Sequence, residues 1–491
     1  MAEVIVTRMF SVRAVLLSFL FTTGCNGGHS GGTRADSSAG TQDGAAVKAP
    51  DAPAANGEAV NGSAGKAGSS GQGGTGGSLE KDARVADTMT GALDSSSVTV
   101  DAGTPGNTPD IGGDSQREWE APDAGARAVD ASIPDARSEI KDTAADAPLQ
   151  GVFTYTGSMS VGRWYHTATL LEDGRVLIAG GYVNPNGPDY TAEIYDPATG
   201  KFSMTHSMTM PREHHTATRL LDGRVLVVGG LKDLTKTSLA NAEIYDPAEG
   251  RFTASAGSLA TARNWHTATL LKNGKVLIAG GIDSTGTQVL TSAELYDPAT
   301  DTFTATGSMA AGRQTFETVL LTDGRVLMVG GAGSGILASA ELYDPDSGLF
   351  VSTGSMNTPR YHFSATLLGD GRVLVASGRR DSDTQLATAE LYDPVAGRFT
   401  SAGNMVEARG YHQAALLPSG KVLLAGGSGI YACNTAEIFD PATGKFKATS
   451  YMPEEKINGS STVLLDGRVL LVGGMGNAAY STVAELYQET Q

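Results

Sequence analysis

From residue 158 onward the apolar positions fall into strand-length runs that return with a period of about 47–51 residues. One copy reads HTATLLEDGRVLIAGG from His166, then a variable stretch, then AEIYDPATGKF from Ala192. Within the first part, two apolar runs flank a two-residue break. That break is Asp173-Gly174, Asp222-Gly223, Asn273-Gly274, Asp323-Gly324, Asp370-Gly371, Ser419-Gly420 or Asp466-Gly467. Asp-Gly and Asn-Gly are favoured in type I′ turns, where both turn positions need positive φ, so a tight hairpin is expected. The AEIY run alternates Ala and Ile on one face with Glu and Tyr on the other, which is the period of a strand. Asp-Pro stops it, and Thr-Gly or an equivalent turns the chain into a fourth strand.

A double glycine ends the second run at Gly180-Gly181, Gly229-Gly230, Gly280-Gly281, Gly330-Gly331, Gly426-Gly427 and Gly473-Gly474, with Ser377-Gly378 in the remaining copy. A side chain there is expected to obstruct close backbone approach near a central axis. Four antiparallel strands that cannot bury their faces alone must stack around an axis. Repeats of this length signal propellers, so the expected fold is all-β: a seven-bladed β-propeller over residues 151–491.

Each unit also places four apolar residues before the double glycine and two aromatics beyond it. The aromatic pairs are Tyr195/Phe202, Tyr245/Phe252, Tyr296/Phe303, Tyr343/Phe350, Tyr392/Phe399 and Phe439/Phe446. These features resemble kelch repeats, a family that usually has Trp where this chain has Phe. The resemblance implies a kelch-type propeller and leaves chemistry open, because kelch propellers serve both as binding modules and as enzymes. The seventh repeat stops after Ala484–Tyr487, while an orphan strand, Val152–Tyr155, precedes the first. That segment is expected to become the outer strand of the last blade, latching the ring and removing an open edge.

Loops after the double glycine and the GSMxxxRxxH connections fall on one face, which varies from copy to copy. Variable loops on a rigid scaffold are where binding usually resides. Arg163, Arg212, Arg263, Arg313, Arg360 and Arg409, with Lys456 last, hold one repeat position. Glu193, Glu243, Glu294, Glu341, Glu390, Glu437 and Glu485 hold another. A charge in every blade reads as architecture, and a partly buried Glu needs a partner that the Arg can supply. His166, His215, His266 and His412 share a position, with His214 and His362 one residue earlier, and none has metal-ligand spacing. These histidines read as repeat packing.

Composition changes the picture at the N-terminus. The chain has 64 Gly, only 18% charged and 6% aromatic residues. Such values suggest one ordered region diluted by a tract that cannot build a core. Residues 25–150 are rich in Gly, Ala, Ser, Asp and Pro, with Trp119 the lone aromatic, and are expected to be a disordered linker. Before them, Arg8 and Arg13 form a basic segment ahead of the apolar run Ala14–Phe21, and Thr22-Thr23-Gly24 leads into Cys25. This resembles a bacterial lipoprotein signal peptide at residues 1–24, with Thr22 where Leu is usual, and implies lipidation of Cys25. An ordinary cleaved signal with an incidental cysteine is the alternative. Either way the chain is expected to be extracytoplasmic, and lipidation would place it in the bacterial cell envelope, on the outer membrane or cell surface. A net charge of −17 and a pI near 4.9 argue against nucleic acid as a partner.

Trp164, Tyr165, Tyr182, Trp265, Tyr361, Arg379, Arg380, Tyr411 and Tyr431 sit on the variable face. Aromatics mixed with Arg suit protein or carbohydrate binding, and a noncatalytic binding or scaffold module without cofactor is the expectation. Those in the connections could instead fill gaps between blades. A second reading comes from the Tyr-His pairs at 165–166, 361–362 and 411–412. The stretch YHQAALLPSGKVLLAGG from Tyr411 is similar to a motif of galactose oxidase-like copper enzymes, which implies copper on Tyr411 and His412. That family takes another His from a further C-terminal domain and a Tyr crosslinked to Cys, whereas here the chain stops at blade seven and Cys433 is the one cysteine within the propeller.

Overall fold

The computed structural model describes residues 150–491 apart from 184, 430–432, 477–479 and 491. The expected signal peptide, the lipidation site Cys25, the linker up to residue 149 and Tyr431 lie outside these residues. The seven copies form seven four-stranded antiparallel sheets, the blades of a propeller. Blade 1 comprises Thr167–Leu170, Val176–Ala179, Ala192–Asp196 and Lys201–Met204, from axis to rim. Its innermost strand meets the innermost strands Thr216–Arg219 of blade 2 and Ser460–Val463 of blade 7. Second strands such as Val176–Ala179 are buried along their whole length, because both faces are covered by neighbouring blades, which is why they read as unbroken apolar runs.

The core is therefore a set of layers between blades. Leu177, Ala192 and Ile194 of blade 1 pack on Val225, Val227 and Tyr245 of blade 2. Val176, Ile178 and Tyr195 close the ring against Leu470, Val472 and Leu486 of blade 7. Tyr195 pairs across its blade with Phe202, ring centroids 4.9 Å apart, and its hydroxyl lies 2.8 Å from Thr156 Oγ1 on the rim of blade 7. The same Thr–Tyr link joins Thr205 to Tyr245, Thr306 to Tyr343 and Thr353 to Tyr392.

Gly151–Ser158 supplies the missing outer strand of blade 7 and pairs antiparallel with Val483–Glu489, Phe153 opposite Tyr487. Their rings sit 4.8 Å apart, and Tyr487 Oη donates to Gln150 O at 3.0 Å. The latch expected from the sequence is thus formed, and the sheet edge is covered.

One local expectation needs correction and another needs extending. The Asp-Gly hairpins are not two-residue type I′ turns. Leu171 N donates to Arg175 O at 2.8 Å and Gly174 N to Leu171 O at 3.2 Å, and only Gly174 has positive φ, +87°. This is a three-residue loop, a type I turn closed by a glycine bulge. Asp173 stays at negative φ because its carboxylate caps the loop, accepting from Arg175 N at 3.0 Å and Nε at 2.7 Å. The double glycine, in turn, is required on two sides. The second glycine closely approaches the axial connection of its own blade, where a Cβ on Gly181 would lie 2.6 Å from Trp164 O, and the first is required by the next blade. A Cβ on Gly180 would lie 2.5 Å from Arg212 O and 2.8 Å from His215 Cε1. Ser377 meets the same demand with φ +62° and a side chain that bonds to Leu386 O and Arg409 O.

Candidate functional site

Each connection between blades begins with a fully buried cation. Arg313 Nη1 donates to Gly330 O at 2.9 Å and Ser339 O at 2.8 Å, and Nη2 reaches Glu341 Oε1 at 2.8 Å. The equivalent Arg–Glu distances run from 2.8 Å (Arg212–Glu243) to 3.3 Å (Arg163–Glu193). Burial pulls the Arg313 guanidinium below its ordinary pKa, and Glu341 opposes that pull. The Glu also receives the chain ahead of the Arg: Ala310 N donates to Glu341 Oε2 at 2.7 Å. The pair thereby fixes where the connection enters the axial face, as the repeated charges implied. Lys456 does the same less well in blade 7, 3.6 Å from Glu485, whose Oε2 is buried without a partner.

Two residues past the cation the backbone turns left-handed in every blade: Tyr165, His214, Trp265, Thr315, His362, Tyr411 and Asn458 have φ between +49° and +59°. A non-glycine residue in this region costs on the order of 1–3 kcal/mol, and these seven are held by their neighbours. Tyr411 N donates to His362 O at 3.1 Å, Asn458 N to Tyr411 O at 3.2 Å and Trp265 N to His214 O at 3.3 Å. The result is a collar around the axis. His214 stacks on Trp265 at 3.6 Å and meets Tyr165 at 3.9 Å, and His362 meets Tyr411 at 3.9 Å.

The residue before each collar position bridges to the residue after the double glycine, as in Trp164 to Tyr182, Glu213 to Leu231 and Tyr361 to Arg379. Three repeat positions per blade thus define the mouth, and they line a cleft of about 440 Å³. Trp164, Tyr165, Tyr182, Trp265, Tyr361, Arg379 and Tyr411, singled out from sequence, all line it. Trp164 and Tyr361 are 6% and 8% exposed, so they fill gaps between blades and present only an edge. Arg379 lies over the Tyr361 and Tyr411 rings at 5.9 and 5.7 Å. Arg380 is not part of the lining and pairs instead with Asp381 at 3.6 Å on an exposed loop. Missed by the sequence reading were the polar members Glu213, Asn264, Gln314 and Asn458, which line the same cleft. The signal was available: they hold the two repeat positions after the buried cation.

The four equivalent histidines face neighbouring blades. Nε2 of His166, His215, His266 and His412 lies 2.8–3.1 Å from Ser460, Thr167, Thr216 and Ser364, each on the preceding blade's innermost strand. Burial lowers His166, His266 and His412 to about 3 and His215 well below its ordinary value, so these imidazoles are neutral. His412, the residue implied as a copper ligand, is thus committed to Ser364. Among the described residues no three His, Cys, Asp or Glu group closely enough to hold a metal ion. Burial also raises the Cys433 thiol, which disfavours the reactive thiolate.

Six collar residues also line a smaller space of about 270 Å³ further along the axis, together with Glu317. Glu317 opens the innermost strand of blade 4 and keeps part of its surface open to the channel. Walls of protein nevertheless remove much of its water and push its carboxyl up to about 8.

The Kelch motif family model matches residues 167–209 and 267–310, within blades 1 and 3. With seven blades built on that unit, the chain is a kelch-repeat β-propeller. No curated protein matches it. Among solved structures it is similar to one described as a novel fungal alcohol oxidase with catalytic diversity among the AA5 family, in complex with copper. The TM-score is 0.57 at 18% identity, covering 69% of this chain and 76% of that one. A likeness at that identity shows the fold alone.

Proposed function

We propose that this chain is a lipid-anchored propeller of the bacterial envelope that acts as a noncatalytic binding head, with a glycan as the partner its axial mouth suits best. The lipoprotein-like signal ending at Cys25 supports the anchor, and stable attachment calls for more than one acyl chain on that cysteine. The Gly- and Ser-rich tract after it supports the role of a spacer. The mouth carries the binding reading: aromatic faces of Tyr165, Trp265 and Tyr411 stand among the amides of Asn264, Gln314 and Asn458. Sugars offer apolar CH faces and hydroxyls together, and such a lining matches both.

The test is a glycan array probed with the Cys25→Ala full chain, followed by calorimetry on any hit. Binding of one glycan class that Tyr411→Ala weakens at least tenfold supports the reading. An array without hits, alongside capture of an envelope protein whose binding needs Tyr411 and Trp265, moves the mouth to a protein partner. Radiolabelled palmitate that enters the natural chain but not Cys25→Ala supports the anchor; equal labelling removes it.

A further inference from the structure

Glu317 stands out from its repeat position. In four other blades that position is Thr167, Thr216, Ser364 or Ser460, each bonded to a histidine of the following blade. Opposite Glu317 the histidine is replaced by Phe363. Among the described residues the carboxylate has neither a hydrogen bond nor an ion pair, and desolvation alone perturbs it. One blade earlier, Phe316 replaces the histidine opposite Thr267, whose hydroxyl is likewise buried without a partner. An isolated carboxylate in such a place is costly unless a partner completes it.

The rest of the well shows what that partner would be. Its walls are the rings of Tyr165, His214, Trp265 and His362, and no Lys or Arg lines it. Burial holds His214 and His362 well below their ordinary pKa, so both are neutral. Aromatic faces carry negative quadrupoles that attract cations, and organic ammonium groups, which lose little hydration on entering, are the usual ligands of such cages. Hard metal ions demand several oxygen ligands instead, and the rings supply few. At about 270 Å³ the well is smaller than the roughly 300–1,000 Å³ that holds a whole drug-sized ligand. It suits a head group whose tail leaves between the collar residues.

We propose that the axial well binds the ammonium head of an alkylamine or quaternary ammonium compound, with Glu317 as counter-ion and Tyr165 and Trp265 as cation–π walls. The well adjoins the mouth and shares Tyr165 and Trp265 with it, but Glu317 lines the well alone, so this assignment stands whatever the mouth binds.

Calorimetry and Trp fluorescence with the Cys25→Ala full chain, titrated with butylammonium and tetramethylammonium chloride, test it. Expected is saturable binding of at least one, with no response to tert-butanol or to equal potassium chloride. Affinity should fall at least tenfold in Glu317→Gln and several-fold in Trp265→Leu, and stay unchanged in Arg251→Ala on the outer rim. Binding that survives Glu317→Gln, an equal response to potassium, or no binding of either ammonium overturns the proposal. The same preparations go on the glycan array, so loss of ammonium binding with glycan hits intact refutes the well alone, and the reverse result refutes the mouth alone.

Discussion

Replacing Arg313 with Met tests whether the buried cations hold the blades together. Arg313 is fully buried and donates to Gly330 O, Ser339 O, Ser339 Oγ and Glu341 Oε1, all within 3.0 Å. Met fills the volume of the stem but leaves Glu341 with only the amide hydrogens of Ala310 and Ala311, and removes the side-chain donor to Gly330 O. Breaking one side of a buried pair costs about 3–5 kcal/mol. Blade 7 calibrates the milder change: Lys456 donates to Val483 O at 3.0 Å and stands 3.6 Å from Glu485. Arg313→Lys therefore loses about two hydrogen bonds, roughly 1–2 kcal/mol. Adding Glu341→Gln to Arg313→Met removes the stranded charge, keeps an acceptor for Ala310, and should recover about 1–2 kcal/mol. Urea unfolding at pH 7, followed by fluorescence and circular dichroism, reads these as midpoint shifts at constant slope. A cost under about 1 kcal/mol for Arg313→Met, or no recovery in the double variant, refutes the reasoning.

Removing residues up to 158 deletes the latch strand and uncovers Tyr487, and the melting temperature should fall on the order of 10 °C; an unchanged melt removes the latch from the energetics. Acid should act through the buried histidines. His166, His266 and His412 sit near 3 and His214, His215 and His362 well below 6.5. The folded state keeps them neutral while the unfolded chain protonates from 6.5 downward. Stability is therefore intact above that pH and falls steeply below it, by at most ~8 kcal/mol per pH unit; a flat melting curve between pH 7 and 5 contradicts this. Glu317 works in the opposite direction. Its carboxyl is raised from 4.5 to about 8, so stability is lost as pH rises between those values. Channel water keeps the loss near 1–3 kcal/mol, below the ~5 kcal/mol of a dry site. Glu317→Gln should raise the melting temperature at pH 9 and leave it nearly unchanged at pH 4, and equal effects at both would locate the charge elsewhere.

Much of the fold was legible because it repeats. The Arg–Glu pairing, the Tyr/Phe cross-strand contacts and the latch from Val152 onward follow from a unit whose members must satisfy one another in every copy. Local backbone detail was less legible. Asp173-Gly174 looked like a type I′ pair, but the Asp side chain caps a longer loop, and a dipeptide alone does not separate these outcomes. The aromatic members of the mouth were found by residue type. Glu213, Asn264, Gln314 and Asn458 were not, because residue type alone does not mark a polar side chain as facing the axis, whereas their repeat position after the buried cation does.

The sequence by itself determined the number of blades, the strands within each, the charge that anchors each connection and the way the ring closes. Those contacts lie within one repeat or between adjacent ones, where periodicity exposes them. Only the tertiary structure decided what meets on the axis. There, at the mouth, residues of all seven blades converge from positions as far apart as Tyr165 and Asn458. Glu317 is an ordinary polar residue at the start of a strand until ring closure surrounds it with the aromatic faces of other blades and removes part of its water.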